Sequence, residues 1–298
     1  MKKRLISVFF ALILLGAVLY LVDTLALNVI LALAGSLAIF ESLRAFKMND
    51  NVVLLIVLLM LHAANMFFDI SAHYFVFLII LILFVFIMAD KNRHYSFKQA
   101  AALGMMVFLV TLGLRSMLNL RYSGVAGDTA AHVGDMRFML LVALALGWIC
   151  DTLAFTFGKL FGKRKMCPEI SPNKTIAGGF GGVVGTPIVI TLAFYLYSVL
   201  GSPLSAFYEM NEPVHLVFYF VMGLLGAVIG IIGDLAASFV KRECGIKDFG
   251  SIMPGHGGAI DRLDSVLFTA TFAAFAFELF FKLFLVLPAA LSSSQAPL

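Results

Sequence analysis

AHYFVFLIILILFVFIMA, residues 72–89, carries no charged side chain over eighteen positions. Past His73 and Tyr74 it has no polar face at all, so it cannot be the amphipathic surface helix of a soluble domain. At 1.5 Å per residue the run reaches about 27 Å, close to the roughly 30 Å of hydrocarbon in a bilayer. Working outward, the same texture recurs on both sides. Nine spans are predicted, with approximate limits 4–22, 26–43, 51–68, 72–89, 98–119, 138–158, 180–200, 214–240 and 266–287. The 298 residues are 62% hydrophobic and 13% charged. Ordinary globular chains are about half apolar and about a quarter charged, so a soluble fold is excluded. The expected class is an all-α, polytopic integral membrane protein.

Met1-Lys2-Lys3-Arg4 resembles the basic start of a signal peptide, but the apolar stretch after it is long and lacks a small-x-small cleavage site, so a retained anchor is expected. With the N-terminus inside and spans alternating, 17 of the 21 Lys and Arg fall on the inner side; Arg115, Arg121, Arg137 and Lys282 do not. The topology read is N-terminus cytoplasmic, C-terminus outside. The net charge of +4 is therefore a topology signal, and no nucleic-acid partner is expected. Cys150, Cys167 and Cys244 form no CxxC pair and read as thiols without a disulfide or zinc role.

Three regions are expected. Residues 1–137 are lipid-facing helices with possible dimer contacts, with 121–137 a polar outer loop. Residues 138–290 are a catalytic membrane region holding two cytoplasmic polar blocks. Residues 291–298 are a disordered tail.

The first block, residues 148–182, is WICDTLAFTFGKLFGKRKMCPEISPNKTIAGGFGG. Asp151 lies inside a predicted span, where an acid is a functional candidate by default. The Ser171-Pro172-Asn173-Lys174-Thr175 turn feeds a glycine-rich helix start, so hydroxyls, N–H groups and an ammonium are offered to phosphate. Gly178, Gly179, Gly181, Gly182 and Gly185 also suit close helix packing, and for the later three that reading is preferred. Gly158 to Lys163 is one residue short of a phosphate-binding P-loop and lacks its hydroxyl residue. The glycine run has no preceding strand and is no dinucleotide fingerprint.

The second block, residues 233–265, is GDLAASFVKRECGIKDFGSIMPGHGGAIDRLDS. Asp234, Ser238, Lys241 and Arg242 share one helix face at offsets 0, 4, 7 and 8. Lys247 and Asp248 follow in a hydrophilic loop. In Pro254-Gly255-His256-Gly257-Gly258 the glycines let backbone N–H groups approach an anion. Asp261, Arg262 and Asp264 then open the last span. Carboxylates, cations and a glycine nest within about thirty residues are what a metal–polyphosphate site requires: Mg²⁺ takes one or two carboxylates plus phosphate oxygens, and Lys and Arg offset the remaining charge. A single His disfavours zinc or iron, and phosphate contact or a structural role suits His256 better than metal ligation. Arg115, within the fifth span, is expected either to snorkel outward or to pair with an acid such as Asp151.

This second block resembles the signature of the phosphatidate cytidylyltransferases (CDP-diacylglycerol synthases), S-x-x-K-R-x-x-x-x-K-D-x-x-x-x-x-P-G-H-G-G-x-x-D-R-x-D. It is met by Ser238, Lys241, Arg242, Lys247, Asp248, Pro254 to Gly258, Asp261, Arg262 and Asp264. The first block is similar to the same family's W-x-x-D-x-x-A-Y-x-x-G-[KR]-x-x-G-[KR] and S-P-x-K-T segments, through Trp148, Asp151, Ala154, Gly158, Lys159, Gly162, Lys163, Ser171, Pro172, Lys174 and Thr175. Phe155 stands where Tyr is usual, and Ala177 where Glu or Gln is. The resemblance covers residues 138–290 in detail.

It implies an enzyme that converts CTP and phosphatidic acid to CDP-diacylglycerol and pyrophosphate. It also implies Mg²⁺ held by Asp234 and Asp261, with Asp151, Asp248 and Asp264 as additional candidates and room for a second mono- or divalent cation. Lys241 is expected to be catalytic. Ser171, Lys174, Thr175, Ser238, Arg242, Lys247, His256, Gly257, Gly258 and Arg262 are expected to bind substrate. Membrane lipids and a second copy in a homodimer are the other expected partners. The expected location is the bacterial inner membrane, with the site on the cytoplasmic side. The rivals are another CTP-using lipid enzyme (a polyprenol kinase or isoprenoid-lipid cytidylyltransferase) and a transporter. Transport would spread charge through the membrane midplane and repeat the halves, and neither pattern is present.

Overall fold

The structure, a computed structural model, describes residues 13, 15–68, 70–90, 94–121, 129–200, 212–251 and 257–283. Among these, eight helices of fifteen residues or more follow one another: α1 (Leu25–Ala45), α2 (Val52–Phe67), α3 (Ala72–Ala89), α4 (Phe97–Asn119), α5 (Thr129–Phe161), α6 (Ile176–Val199), α7 (Glu212–Glu243) and α8 (Ile260–Phe281). Between α5 and α6 lies a two-stranded sheet of β1 (Lys165–Cys167) and β2 (Ser171–Thr175). Seven of these helices are long and apolar enough to cross a membrane, which bears out an all-α polytopic membrane protein.

Three expectations change in detail. α2 has only 16 residues, about 24 Å of rise, so by itself it is short for a full crossing. Residues 129–137, expected in an outer loop, are instead the first turns of α5; Thr-Ala-Ala-His-Val has no Pro, and Ala is the strongest helix former. The Ser171–Thr175 turn is a strand, so the glycine run of α6 does follow one, contrary to the expectation. Pairing with β1 uses backbone groups that a free turn would leave to water. Most of the first predicted span and all of the tail lie outside the described residues.

α3 explains why its sequence lacks a polar face. It buries only Phe75, Ile79 and Leu83, spaced four apart on one stripe. Phe77, Ile80, Phe84 and Met88 on its other sides are more than half exposed, a surface that suits lipid.

By contacts the chain forms two units. The first comprises Met1–Arg115, Glu169–Ser171 and Ile232–Phe268. Here Asn28 Nδ2 donates to Met66 O at 2.6 Å, tying α1 to α2. His62 Nδ1 lies 2.8 Å from Thr111 Oγ1, tying α2 to α4. At Gly113, any Cβ would come within 2.8 Å of Leu267 Cα, so the glycine lets α4 and α8 touch through backbone. Arg115 Nη1 donates to Asn65 O at 2.9 Å. Facing loops are joined where the Tyr95 hydroxyl donates to Asp50 Oδ1; that bond to a carboxylate pushes the phenol up to about 12.

The second unit comprises Ser116–Pro168, Pro172–Ile231 and Thr269–Leu298. Its seam is the glycine row of α6 against α5. A Cβ at Gly178 would meet Ala154 O at 2.5 Å, at Gly182 Cys150 Sγ at 2.9 Å, and at Gly185 Leu153 Cδ1 at 2.6 Å, while Gly181 lies on the Phe157 ring. The packing reading of these glycines is borne out, with Gly178 added to it. Gly226 of α7 admits Leu146, 2.9 Å from its would-be Cβ. An aromatic cluster closes the unit, with Phe194 stacked on Tyr219 at 4.3 Å and Phe138 on Tyr197 at 4.3 Å.

Candidate active site

The C-terminal turns of α7 and the turn entering α8 belong to the first unit. Helical offsets of 0, 4 and 7 put Asp234, Ser238 and Lys241 on one face, as the sequence predicts. Ser238, which is buried, donates from Oγ to Asp234 Oδ1 at 3.4 Å. Lys241 Nζ is 2.9 Å from Asp261 Oδ1, and the two side chains are only 12% and 5% exposed. The ammonium also stands 5.7 Å from the centroid of the Phe249 ring. This ion pair spans the loop from α7 to α8, and water screens it poorly at that burial.

The second oxygen of Asp261 is held just as firmly. Oδ2 accepts the backbone N–H of Phe249 at 2.8 Å and of Gly258 at 2.9 Å. Gly257 makes the turn possible. Its φ is +86°, a left-handed conformation, and a Cβ there would lie 2.9 Å from Asp261 Oδ2. The anion met by the Gly258 N–H is thus the protein's own carboxylate.

A residue that sequence reasoning missed completes the turn. Glu41, near the end of α1, is 1% exposed. Its Oε1 accepts the N–H of Ala259 at 3.0 Å and its Oε2 that of Ile260 at 3.0 Å. Gly250 and Gly258 lie against this carboxyl, where a Cβ would collide with Oε1. The signal was present: IFESLRAF sets one acid in an apolar span, and the default that flagged Asp151 applies equally there.

The other predicted residues are placed as follows. Arg242 is exposed, and its Nε donates to Ile170 O at 3.3 Å. Lys247, Asp248 and Arg262 are exposed. Asp264 is half-buried on the first turns of α8, and its Oδ1 accepts the Ser265 N–H at 2.8 Å. His256 lies outside the described residues. Cys244, just past α7, has its thiol pushed up by burial, with Glu243 adding to the effect. Ser171 is half-buried in β2.

In the second unit Asp151 and Lys174 are half-buried. Thr175 is the N-cap of α6: its Oγ1 accepts the Gly178 N–H at 3.1 Å. That oxygen sits beside Gly158 and Gly162, whose would-be Cβ atoms lie 2.9 and 2.7 Å away. Its hydroxyl serves the helix start and the packing on α5.

Among the described residues no group of three or more His, Cys, Asp or Glu forms a ready cage for a metal ion. Asp261 Oδ1 faces the Lys241 ammonium, Oδ2 faces two backbone N–H groups, and Asp234 lies on the same unit.

Residues 2–280 match the profile described as "Cytidylyltransferase family". The chain is 30% identical to the phosphatidate cytidylyltransferase of Bacillus subtilis (strain 168) over 290 residues, 94% of this chain and 98% of that one. It is 37% identical over 179 residues to the enzyme of that name from Staphylococcus epidermidis (strain RP62A), covering 60% of this chain and 59% of the other. For the Staphylococcus aureus (strain COL) enzyme the identity is 36% over 179 residues, with the same coverage.

Proposed function

The chain belongs to the cytidylyltransferase family, and we propose how its residues carry out the family's reaction. It is a membrane-embedded nucleotidyltransferase that passes the cytidylyl group of CTP to phosphatidic acid, giving CDP-diacylglycerol and pyrophosphate. The observation that carries the residue assignment is the low-exposure Lys241–Asp261 pair, with Asp261 Oδ2 holding the turn through the N–H groups of Phe249 and Gly258.

A phosphate oxygen of phosphatidic acid attacks the α-phosphorus of CTP, and pyrophosphate departs in line. The attacking oxygen is already anionic, so no Ser, Cys or general base is required. What the protein must do is bring two anions together and hold them aligned. Asp234 and Asp261 would hold a divalent ion, Mg²⁺ by the chemistry of the donors, with Asp151, Asp248 and Asp264 as additional candidates and a second cation admitted. When bound, that ion neutralises phosphate charge and polarises the phosphoryl oxygens. Lys241 keeps the charge of Asp261 balanced and offers an ammonium to the triphosphate. Arg242, Lys247, Arg262 and Lys174 supply further positive charge. Ser171, Thr175, Ser238, His256, Gly257 and Gly258 are the further residues proposed to bind substrate. Thr175 and Gly258 do so through the helix start and the turn that they secure.

The inner-side placement of the basic loops supports a site facing the cytoplasm of a bacterial inner membrane, where soluble CTP meets the lipid headgroup. The remaining proposals are residues 138–290 as the catalytic region, 1–137 as its lipid-facing support, nine spans, and a homodimer.

The test uses the purified chain in detergent with phosphatidic acid, labelled CTP and Mg²⁺. CDP-lipid is expected from the wild type. It should vanish on chelation, return with Mg²⁺, and be absent from Asp234→Ala and Asp261→Ala. CDP-lipid from both variants would remove the metal assignment. Phosphate transfer to a lipid alcohol without CDP-lipid would favour the kinase reading.

A further inference from the structure

From the geometry around Glu41 we infer that it is a positioning residue for this reaction, setting Asp261 through the turn that precedes it. The inference rests on the proposed role of Asp261. Four backbone N–H donors make the case. Gly258 N–H and Phe249 N–H bind Asp261 Oδ2, and Ala259 N–H and Ile260 N–H bind the two oxygens of Glu41. The turn between α7 and α8 is thus clamped on two sides by carboxyl groups. One of them belongs to the site. The other comes from α1, 218 positions away from Ala259 in sequence.

The first N–H groups of a helix are usually satisfied by a Ser, Thr, Asp or Asn at the N-cap, a local and inexpensive solution. Position 259 is Ala, which cannot cap. The chain instead buries an acid to 1% exposure in an apolar helix, a costly choice. A cap side chain at 259 would accept from the N–H of the second or third helical residue, so the N–H groups of Ala259 and Ile260 need a partner from elsewhere. Glu41 fixes them to the frame of α1, which is itself tied to α2 by Asn28 and Met66. Gly250 and Gly258 leave the space that the carboxyl occupies. Both lie in the loop and turn that carry the two N–H donors to Asp261, so displacing Glu41 displaces those donors.

The test compares wild type, Glu41→Gln and Gly250→Ala in detergent. Gln keeps the size but can accept at only one of its two atoms. A Cβ at residue 250 pushes the carboxyl aside without altering its charge. Each variant is assayed for thermal unfolding, for kcat and KM toward CTP and phosphatidic acid, and for the Mg²⁺ concentration giving half-maximal rate. In both variants kcat is expected to fall by about 10- to 100-fold, since misplacement near 1 Å has that order of effect. The Mg²⁺ requirement should rise several-fold, KM for phosphatidic acid should stay within about twofold, and the double variant should be no worse than the worse single. A folded Glu41→Gln or Gly250→Ala protein with wild-type kcat and Mg²⁺ dependence overturns the inference. So does failure of both to fold, which would make Glu41 a folding residue only. Should Glu41→Gln alone fail to fold, Gly250→Ala decides by the same readouts. If Asp261→Ala itself makes CDP-lipid, the underlying reading fails instead, and the two failures are told apart.

Discussion

Replacing Asp261 by Asn, Lys241 by Met, and both together separates what the pair does for the fold from what it does for the reaction. Removing one partner of a well-buried ion pair costs about 3–5 kcal/mol, because the other charge is left uncompensated. Lys241 is 12% exposed and Asp261 5%, so water relieves some of that, and about 2–3 kcal/mol is expected for Asp261→Asn. At roughly 2–4 °C per kcal/mol, its midpoint of thermal unfolding in detergent should drop by about 4–12 °C. Lys241→Met should cost less, about 1–2 kcal/mol, because Asp261 keeps the N–H groups of Phe249 and Gly258. The double variant removes both charges and should recover part of the loss, a coupling of about 1–3 kcal/mol. Formation of CDP-lipid behaves differently. Both singles should lose at least about 100-fold, and the double should recover none of it, since neither charge is present for metal or phosphate. Additive midpoint shifts would refute the pair. A double variant that regained activity along with stability would refute its part in the chemistry.

Gly257→Ala forces a left-handed φ of +86° on a residue with a Cβ and crowds Asp261; a loss of about 1–2 kcal/mol and a drop in kcat larger than that stability loss explains are expected, measured by unfolding and turnover together. Thr175→Val should destabilise by about 0.5–2 kcal/mol through loss of the α6 cap, and Thr175→Ser should restore most of it. Gly182→Leu should be more damaging, since even a Cβ there meets Cys150 Sγ at 2.9 Å; the expected cost is about 1–3 kcal/mol or failure to insert, read from the yield of folded protein.

The membrane class and the helices were legible because lipid demands long apolar runs with internally satisfied backbone. A one-dimensional hydropathy reading is enough to find them, as residues 72–89 do. The Asp234, Ser238 and Lys241 face was legible for a similar reason, since helical periodicity fixes neighbours three and four apart. What the sequence could not supply was any partner distant along the chain. β2 was missed because a strand of five residues draws its stability from β1 and not from its own pattern. Glu41 was missed because nothing local links IFESLRAF to Ala259 and Ile260. Only the folded backbone brings that acid to the turn, and only the turn reveals that two N–H groups there have no capping residue of their own. Composition and periodicity thus determined the solvent the protein lives in and which side chains share a helix. The tertiary structure decided which carboxyl holds which N–H, because those bonds form between segments that are remote in sequence and meet only on folding.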